Sequence, residues 1–224
     1  TMIFLTPGQS ININEGKAFP RKGWLLAFHP DLLCSTSLGR NIKNYSFFSY
    51  HLNEALHLSL REKDKAIECM YNIEKELQHA IDCHSKTLIS RYIELLLDYC
   101  SRFYDRQFIT RENINKDILV RFENLLSDYF ESDQPQTVGL PSVQYAADRL
   151  HLSPNYFGDL IKKETGKSAQ ESIQLFVIEK AKERLYDENK TVSEVAYELG
   201  FKYPHHLSRL FKKVVGMTPN EYRM

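Results

Sequence analysis

The sequence predicts a mainly α-helical chain that opens with a short β segment and ends in two helix-turn-helix units joined by a long helix. Three observations carry this expectation. Apolar residues recur at three- and four-residue steps between Asn53 and Phe130, the mark of amphipathic helices. A polar stretch with Pro135 and Gly139, from Glu131 to Gly139, reads as a linker. The segment beyond that stretch repeats itself.

Composition sets the outer bounds. The 224 residues are 42% hydrophobic and 26% charged, which excludes wholesale disorder. No apolar run approaches the ~18 residues of a membrane span. The segment Thr1 to Pro7 lacks the basic and apolar regions of a secretory signal. Cys34, Cys69, Cys83 and Cys100 match no metal or redox spacing and read as buried thiols of a reducing cytoplasm. Net charge is zero, with 16 basic and 18 acidic residues in 1–137 and 13 basic and 11 acidic in 138–224. Binding to nucleic acid would therefore depend on local placement of charge.

The N-terminal elements come first. Ile3 to Leu5, Gln9 to Ile13 and Gly23 to Phe28 alternate between turn residues and read as strands. Three short strands cannot close a sheet, so the sequence is expected to begin partway through a larger β domain. A helix comes next, with Ala66, Ile67, Met70, Ile73, Leu77, Ala80 and Ile81 on one stripe. Its successor, Lys86 to Tyr104, is apolar over most of its girth, which implies burial on two sides and, in a small domain, a homodimer. A third helix spans Asp117 to Phe130.

The repeat occupies most of the chain beyond the linker. At an offset of 49, Val143, Ala147, Leu150 and Leu152 align with Val192, Ala196, Leu199 and Phe201. After one inserted residue the offset is 50, and Pro154, Phe157, Leu160, Ile161, Lys162, Lys163 and Gly166 align with Pro204, Leu207, Leu210, Phe211, Lys212, Lys213 and Gly216. Each unit reads as a short helix, a tight turn and a second helix that starts near proline and stops at glycine. Thr191 and Glu194 form a capping box, and Gly200 suits a left-handed turn residue. The units cover 142–166 and 191–216. A connecting helix of about 169–187 is ~27 Å long at ~1.5 Å per residue, against ~34 Å between successive major-groove faces. Two copies of this unit predict binding to double-stranded DNA; a helical bundle with two similar hairpins is the plainer alternative.

The second unit contains Glu194-Val195-Ala196, Leu199-Gly200-Phe201, Leu207 to Lys213, Gly216 and Thr218 to Arg223. This string closely resembles the signature of the AraC/XylS family of bacterial transcription regulators. Tyr145 to Ala147, Ser153 to Phe157 and Lys162 to Ser168 resemble its first unit. The resemblance implies a sequence-specific DNA-binding regulator controlled by a small molecule or partner that acts on the N-terminal half, with RNA polymerase as a further partner. For residues 1–137 it implies a partial sensor, with the tail of a cupin-like barrel to about residue 30 and a helical dimerisation region. Residues 138–224 would be the DNA-binding domain.

Helix placement assigns candidate roles. Phe157, Leu160 and Ile161 point inward. Asn155, Gly158, Asp159, His205, His206, Ser208 and Arg209 lie on the outer faces that the resemblance turns toward base edges. Asn155 matches adenine and Arg209 guanine, whereas Asp159 can accept from cytosine N4 but repels phosphate. Lys162, Lys163, Lys212 and Lys213, with Ser142 and Thr191 at helix starts, are phosphate candidates. Each also has a plainer reading as a solvated or salt-bridged surface residue. Tyr222 and Arg223 are expected to close the second unit, with Arg223 paired to an acid. Adjacent His205 and His206 diverge and lack a third ligand, and His79 with Cys83 is an isolated pair, so no metal or other cofactor is expected. No catalytic constellation is present, and an enzyme is not expected. The competing reading is a small-molecule or protein-binding module whose degenerate units do not bind DNA tightly.

Overall fold

In the computed structural model, which describes residues 1–9 and 23–223, Thr36 caps the first α-helix, α1 (Ser37–Asn41), by accepting from the Gly39 amide. Ser59 and Glu62 then form a reciprocal capping box that opens α2 (Leu60–Gln78). The chain returns along α3 (Ser85–Thr110). Arg106 near the end of α3 donates to both carboxylate oxygens of Glu62 near the start of α2, at 3.0 and 2.7 Å, so the two helices run antiparallel. This fork is partly exposed and acts as a register pin more than as a source of stability.

Most of the apolar girth of α3 is covered from within its own unit. Cys69 and Ile73 of α2 are buried on one side. On another, the segment carrying Phe4, Phe47 and Tyr50 stacks on Tyr104, with ring centroids 5.1 to 6.3 Å apart. Ile93, Leu96, Leu97, Cys100 and Phe103 are buried between them.

The expected strands are not found among the described residues. Ile3 to Leu5 and Gly23 to Phe28 have no ladder partner, and Gln9 to Ile13 lies largely outside the described residues. One isolated antiparallel bridge joins Met2 to Leu56, with N–H···O distances of 2.8 and 3.0 Å. Phe4 goes into the aromatic cluster on α3, so helices supply the burial that a neighbouring strand would have given. A cupin-like segment is thus not supported. The cysteine reading also changes in part. Cys69 and Cys100 are buried, but Cys34 and Cys83 are exposed. Burial pushes the Cys100 thiol up to about 12, which keeps it protonated and inert.

The chain divides between Thr110 and Arg111, not at the polar stretch 131–139. The second unit starts with α4 (Glu112–Glu131), expected with the N-terminal half. Its apolar stripe packs into the helix-turn-helix core instead. Phe122 meets Phe157 edge-on at 5.0 Å, and Tyr129 meets Tyr145 at 5.2 Å. The polar stretch itself folds as α5 (Gln134–Val138), with Pro135 buried. The Tyr129 hydroxyl donates to the Gly139 carbonyl at 2.7 Å, and the Arg184 guanidinium to the Phe130 carbonyl at 2.9 Å. Local polarity does not reveal a linker when its backbone is held by side chains from distant elements.

Candidate nucleic-acid interface

The two units are built alike. In the first, α6 (Val143–Leu150) is followed by α7 (Pro154–Thr165). In the second, α9 (Val192–Glu198) is followed by α10 (Pro204–Val215). Between them runs α8 (Ala169–Leu185), and α11 (Pro219–Arg223) closes the chain. Ala146, Ala147, Val195 and Ala196 are fully buried, and the small side chains let the second helix of each pair approach closely. The helix α8 is buried on more than one side, with Ala169, Ile173, Val177, Ile178, Ala181 and Leu185 inside. It packs against both pairs and is part of the core rather than a free spacer.

Each turn closes with the same backbone device. The Leu152 amide donates to the Ala147 carbonyl, and the Phe201 amide to the Ala196 carbonyl, both at 2.9 Å. The left-handed residue is Gly200 in the second unit, at φ +89°, as its sequence position suggests. In the first unit it is His151, at φ +59°, where a histidine gives no such signal.

The second helices carry the candidate residues. In α7, Tyr156, Phe157, Leu160 and Ile161 are buried, while Asn155, Lys162 and Lys163 are exposed and Gly158 and Asp159 partly so. In α10, Leu207 and Phe211 are buried, while His205, His206, Arg209, Lys212 and Lys213 are exposed and Ser208 partly so. All of the candidate base-facing residues therefore fall on solvent-facing surfaces of α7 and α10. Proline opens each helix, and Gly166 and Gly216 end them in the left-handed conformation.

The helix-start candidates are less open. Ser142 accepts from the Tyr145 amide, which completes its own cap. Thr191 accepts from the Glu194 amide, and both its amide and its hydroxyl donate to the Glu194 carboxylate, at 2.7 and 2.8 Å. The Thr191 amide, with the hydroxyl beside it, holds the Glu194 carboxyl below the usual range. An anion at this helix start would have to share the site with that carboxylate. Tyr222 packs edge-on against Phe211 at 5.3 Å. Arg223 donates to the Leu185 and Asp187 carbonyls, at 3.0 and 3.3 Å, rather than to an acid. Carbonyls left over at the end of α8 are the acceptors within its reach.

Lys202 and Tyr203 are absent from the candidates that the sequence suggests. The Tyr203 ring is stacked on His205 at 5.7 Å, His205 and His206 are edge-to-face at 4.3 Å, and the Lys202 ammonium lies 5.6 Å from the Tyr203 centroid. The only sequence signal is an aromatic residue directly ahead of the helix-opening Pro204. Among the described residues, no group of three or more His, Cys, Asp or Glu side chains is placed to hold a metal ion.

Two helical pairs that each expose one polar face of their second helix define a protein with a tandem helix-turn-helix domain. Residues 146–224 match the family model described as "Helix-turn-helix domain". The chain is 29% identical over 136 residues to the uncharacterized HTH-type transcriptional regulator YtdP of Bacillus subtilis (strain 168), spanning 61% of this chain and 16% of that protein. It is 39% identical over 85 residues to the uncharacterized transcriptional regulatory protein YesN of the same organism, spanning 37% of this chain and 23% of YesN. A solved structure, the C-terminal domain of AraT, a response regulator from Geobacillus stearothermophilus, is 29% identical; the match covers 47% of this chain and 83% of that one, with a TM-score of 0.41. This chain spans less than a quarter of the length of YtdP or YesN. The domain over 146–224 is of the AraC/XylS type.

Proposed function

We propose that this chain binds double-stranded DNA sequence-specifically through α7 and α10 and regulates transcription. One observation carries the reading. Tyr156, Phe157, Leu160 and Ile161 of α7 and Leu207 and Phe211 of α10 are buried, and a corresponding row is left to solvent: Asn155 and Lys162 in one, His205, Arg209 and Lys212 in the other. Asn155 suits an adenine edge and Arg209 a guanine edge, and the paired lysines suit backbone phosphates. The named relatives are regulators, in line with this reading. Overall neutrality and Asp159 favour the competing reading, a module with weak or no DNA affinity.

Gel shifts on duplex DNA at increasing salt separate the two. If Lys162, Lys163, Lys212 and Lys213 each neutralise a phosphate, log K should fall against log salt with a slope of about −3.6. Absence of a complex at low salt, or a complex indifferent to salt, would exclude the DNA-binding reading.

Homodimerisation extends the proposal to the first unit. Leu88 and Leu95 stay 40% and 44% exposed on α3, one heptad apart, and offer a seam for a second copy. The sedimentation coefficient should then rise with protein concentration, and a constant monomer value would remove the dimer. The cavity lined by Phe4, Phe47, Tyr50 and Tyr104 is about 10 Å³, room for one water molecule. It is too small to hold a metabolite. No helix among the described residues is long and apolar enough to cross a membrane.

A further inference from the structure

The two buried cysteines come together in the first unit. The fork between Glu62 and Arg106 fixes the register of the antiparallel α2 and α3. Counted inward from that fork, Cys69 is seven residues along α2 and Cys100 six along α3, so both stand about 10 Å from it, at one level of the pair. They are 2% and 0% exposed. Burial, and then the neighbouring Cys69, raise the Cys100 thiol, which puts the two sulfurs within range of one another.

A third sulfur comes from outside the helix pair. Met2 Sδ lies 3.4 Å from Cys100 Sγ. The Met2 backbone is pinned by both hydrogen bonds of the bridge to Leu56. Met2 is half-buried, so of the three groups it is the one that solvent reaches. Among the described residues no His, Asp or Glu joins the two thiols in a ligand group. Three sulfurs from three segments make a soft donor set, and thiolate with thioether selects Cu(I) among the first-row metals. Burial keeps a thiol protonated and unreactive as a nucleophile, but a coordinating cation displaces that proton. Two thiolates around one monovalent cation leave one negative charge, which Lys65 beside Cys69 attracts and Glu68 repels.

We propose that Met2, Cys69 and Cys100 form a binding site for a soft monovalent cation of the Cu(I) class, with the two thiolates as principal ligands and the Met2 thioether as the third. The site lies wholly in the first unit and does not depend on the DNA-binding reading. The test uses the full chain with Cys34→Ser and Cys83→Ser, which removes the exposed thiols. This parent is titrated with Cu(I) in the absence of oxygen, in competition with the chelator bathocuproine disulfonate. One equivalent should be retained, and X-ray absorption should find a shell of sulfur alone. Met2→Leu, close in volume, should lower the affinity by about tenfold or more, and Cys69→Ala or Cys100→Ala by about a hundredfold or more. A parent that retains no Cu(I) overturns the proposal. Full retention in either cysteine variant also overturns it, because the metal is then held elsewhere. Nitrogen or oxygen in the metal's shell, or unchanged affinity in Met2→Leu, has the same consequence. Helical circular dichroism checks the fold of each variant. Where a cysteine variant unfolds, the Met2→Leu affinity and the sulfur shell of the parent decide.

Discussion

Replacing Gly200 by alanine is expected to destabilise the second unit by roughly 2–4 kcal/mol. Two costs act at once. The residue holds φ +89°, which an L side chain rarely adopts. A Cβ would also lie 2.7 Å from the Pro135 carbonyl oxygen and 2.8 and 3.0 Å from the Gly139 carbonyl carbon and oxygen. These are backbone atoms, so no rotamer change relieves the contact. Either the turn between α9 and α10 must distort, or α5 and the residues after it must lift away. Lifting would strain the Tyr129 bond to the Gly139 carbonyl and the Tyr145 bond to Gln134. Denaturant or thermal unfolding of Gly200→Ala and Gly200→Asn measures the loss. Asparagine tolerates positive φ but still carries a Cβ. Both variants should be destabilised, and wild-type stability in the asparagine variant would show that the close approach is not limiting.

Arg209→Ala is expected to cost about 1–3 kcal/mol in DNA binding and to relax the preference at one base pair. Arg209 is exposed on α10 and makes no ion pair among the described residues, so its guanidinium is available for a bidentate contact. Folding stability should change little, because the side chain is not in the core. Binding is measured on the preferred duplex and on its single-base variants. Lys212→Ala, also exposed, serves as the contrast. It should weaken binding to every sequence alike and reduce the salt slope by about 1. If Arg209→Ala weakens all duplexes equally, the residue contacts phosphate and base reading lies elsewhere on α10.

Much of the candidate interface is legible in the sequence because helical periodicity and turn chemistry are local. The repeat sets which residues of α7 and α10 face outward, and burial of Phe157, Leu160, Ile161, Leu207 and Phe211 agrees with that pattern. The turn at Gly200 is readable because glycine is the usual left-handed residue, whereas His151 does the same work without a signature. Thr191 illustrates a different limit. It does stand at a helix start, yet its hydroxyl is engaged with Glu194, its partner in the same capping box.

The N-terminal half is less legible because its elements depend on partners distant in sequence. Alternation in Ile3 to Leu5 resembles a strand, but Phe4 finds its burial against Phe47 and Tyr104. The wide apolar surface of α3 suggests a second copy, and the chain's own N-terminal segment and α2 cover most of it. The polar stretch 131–139 has the composition of a boundary, but Arg184 and Tyr129 hold it to the helical core.

Taken alone, the order of residues determined that two helical pairs would form, where each would turn, and which face of each second helix would stay polar. Those properties depend on contacts within a few residues along the chain. Tertiary structure decided that α4 belongs with the C-terminal unit, that α5 lies against the turn at Gly200, and that α3 is covered without a strand. Each of these depends on which distant surfaces meet, and short-range periodicity carries no record of that choice.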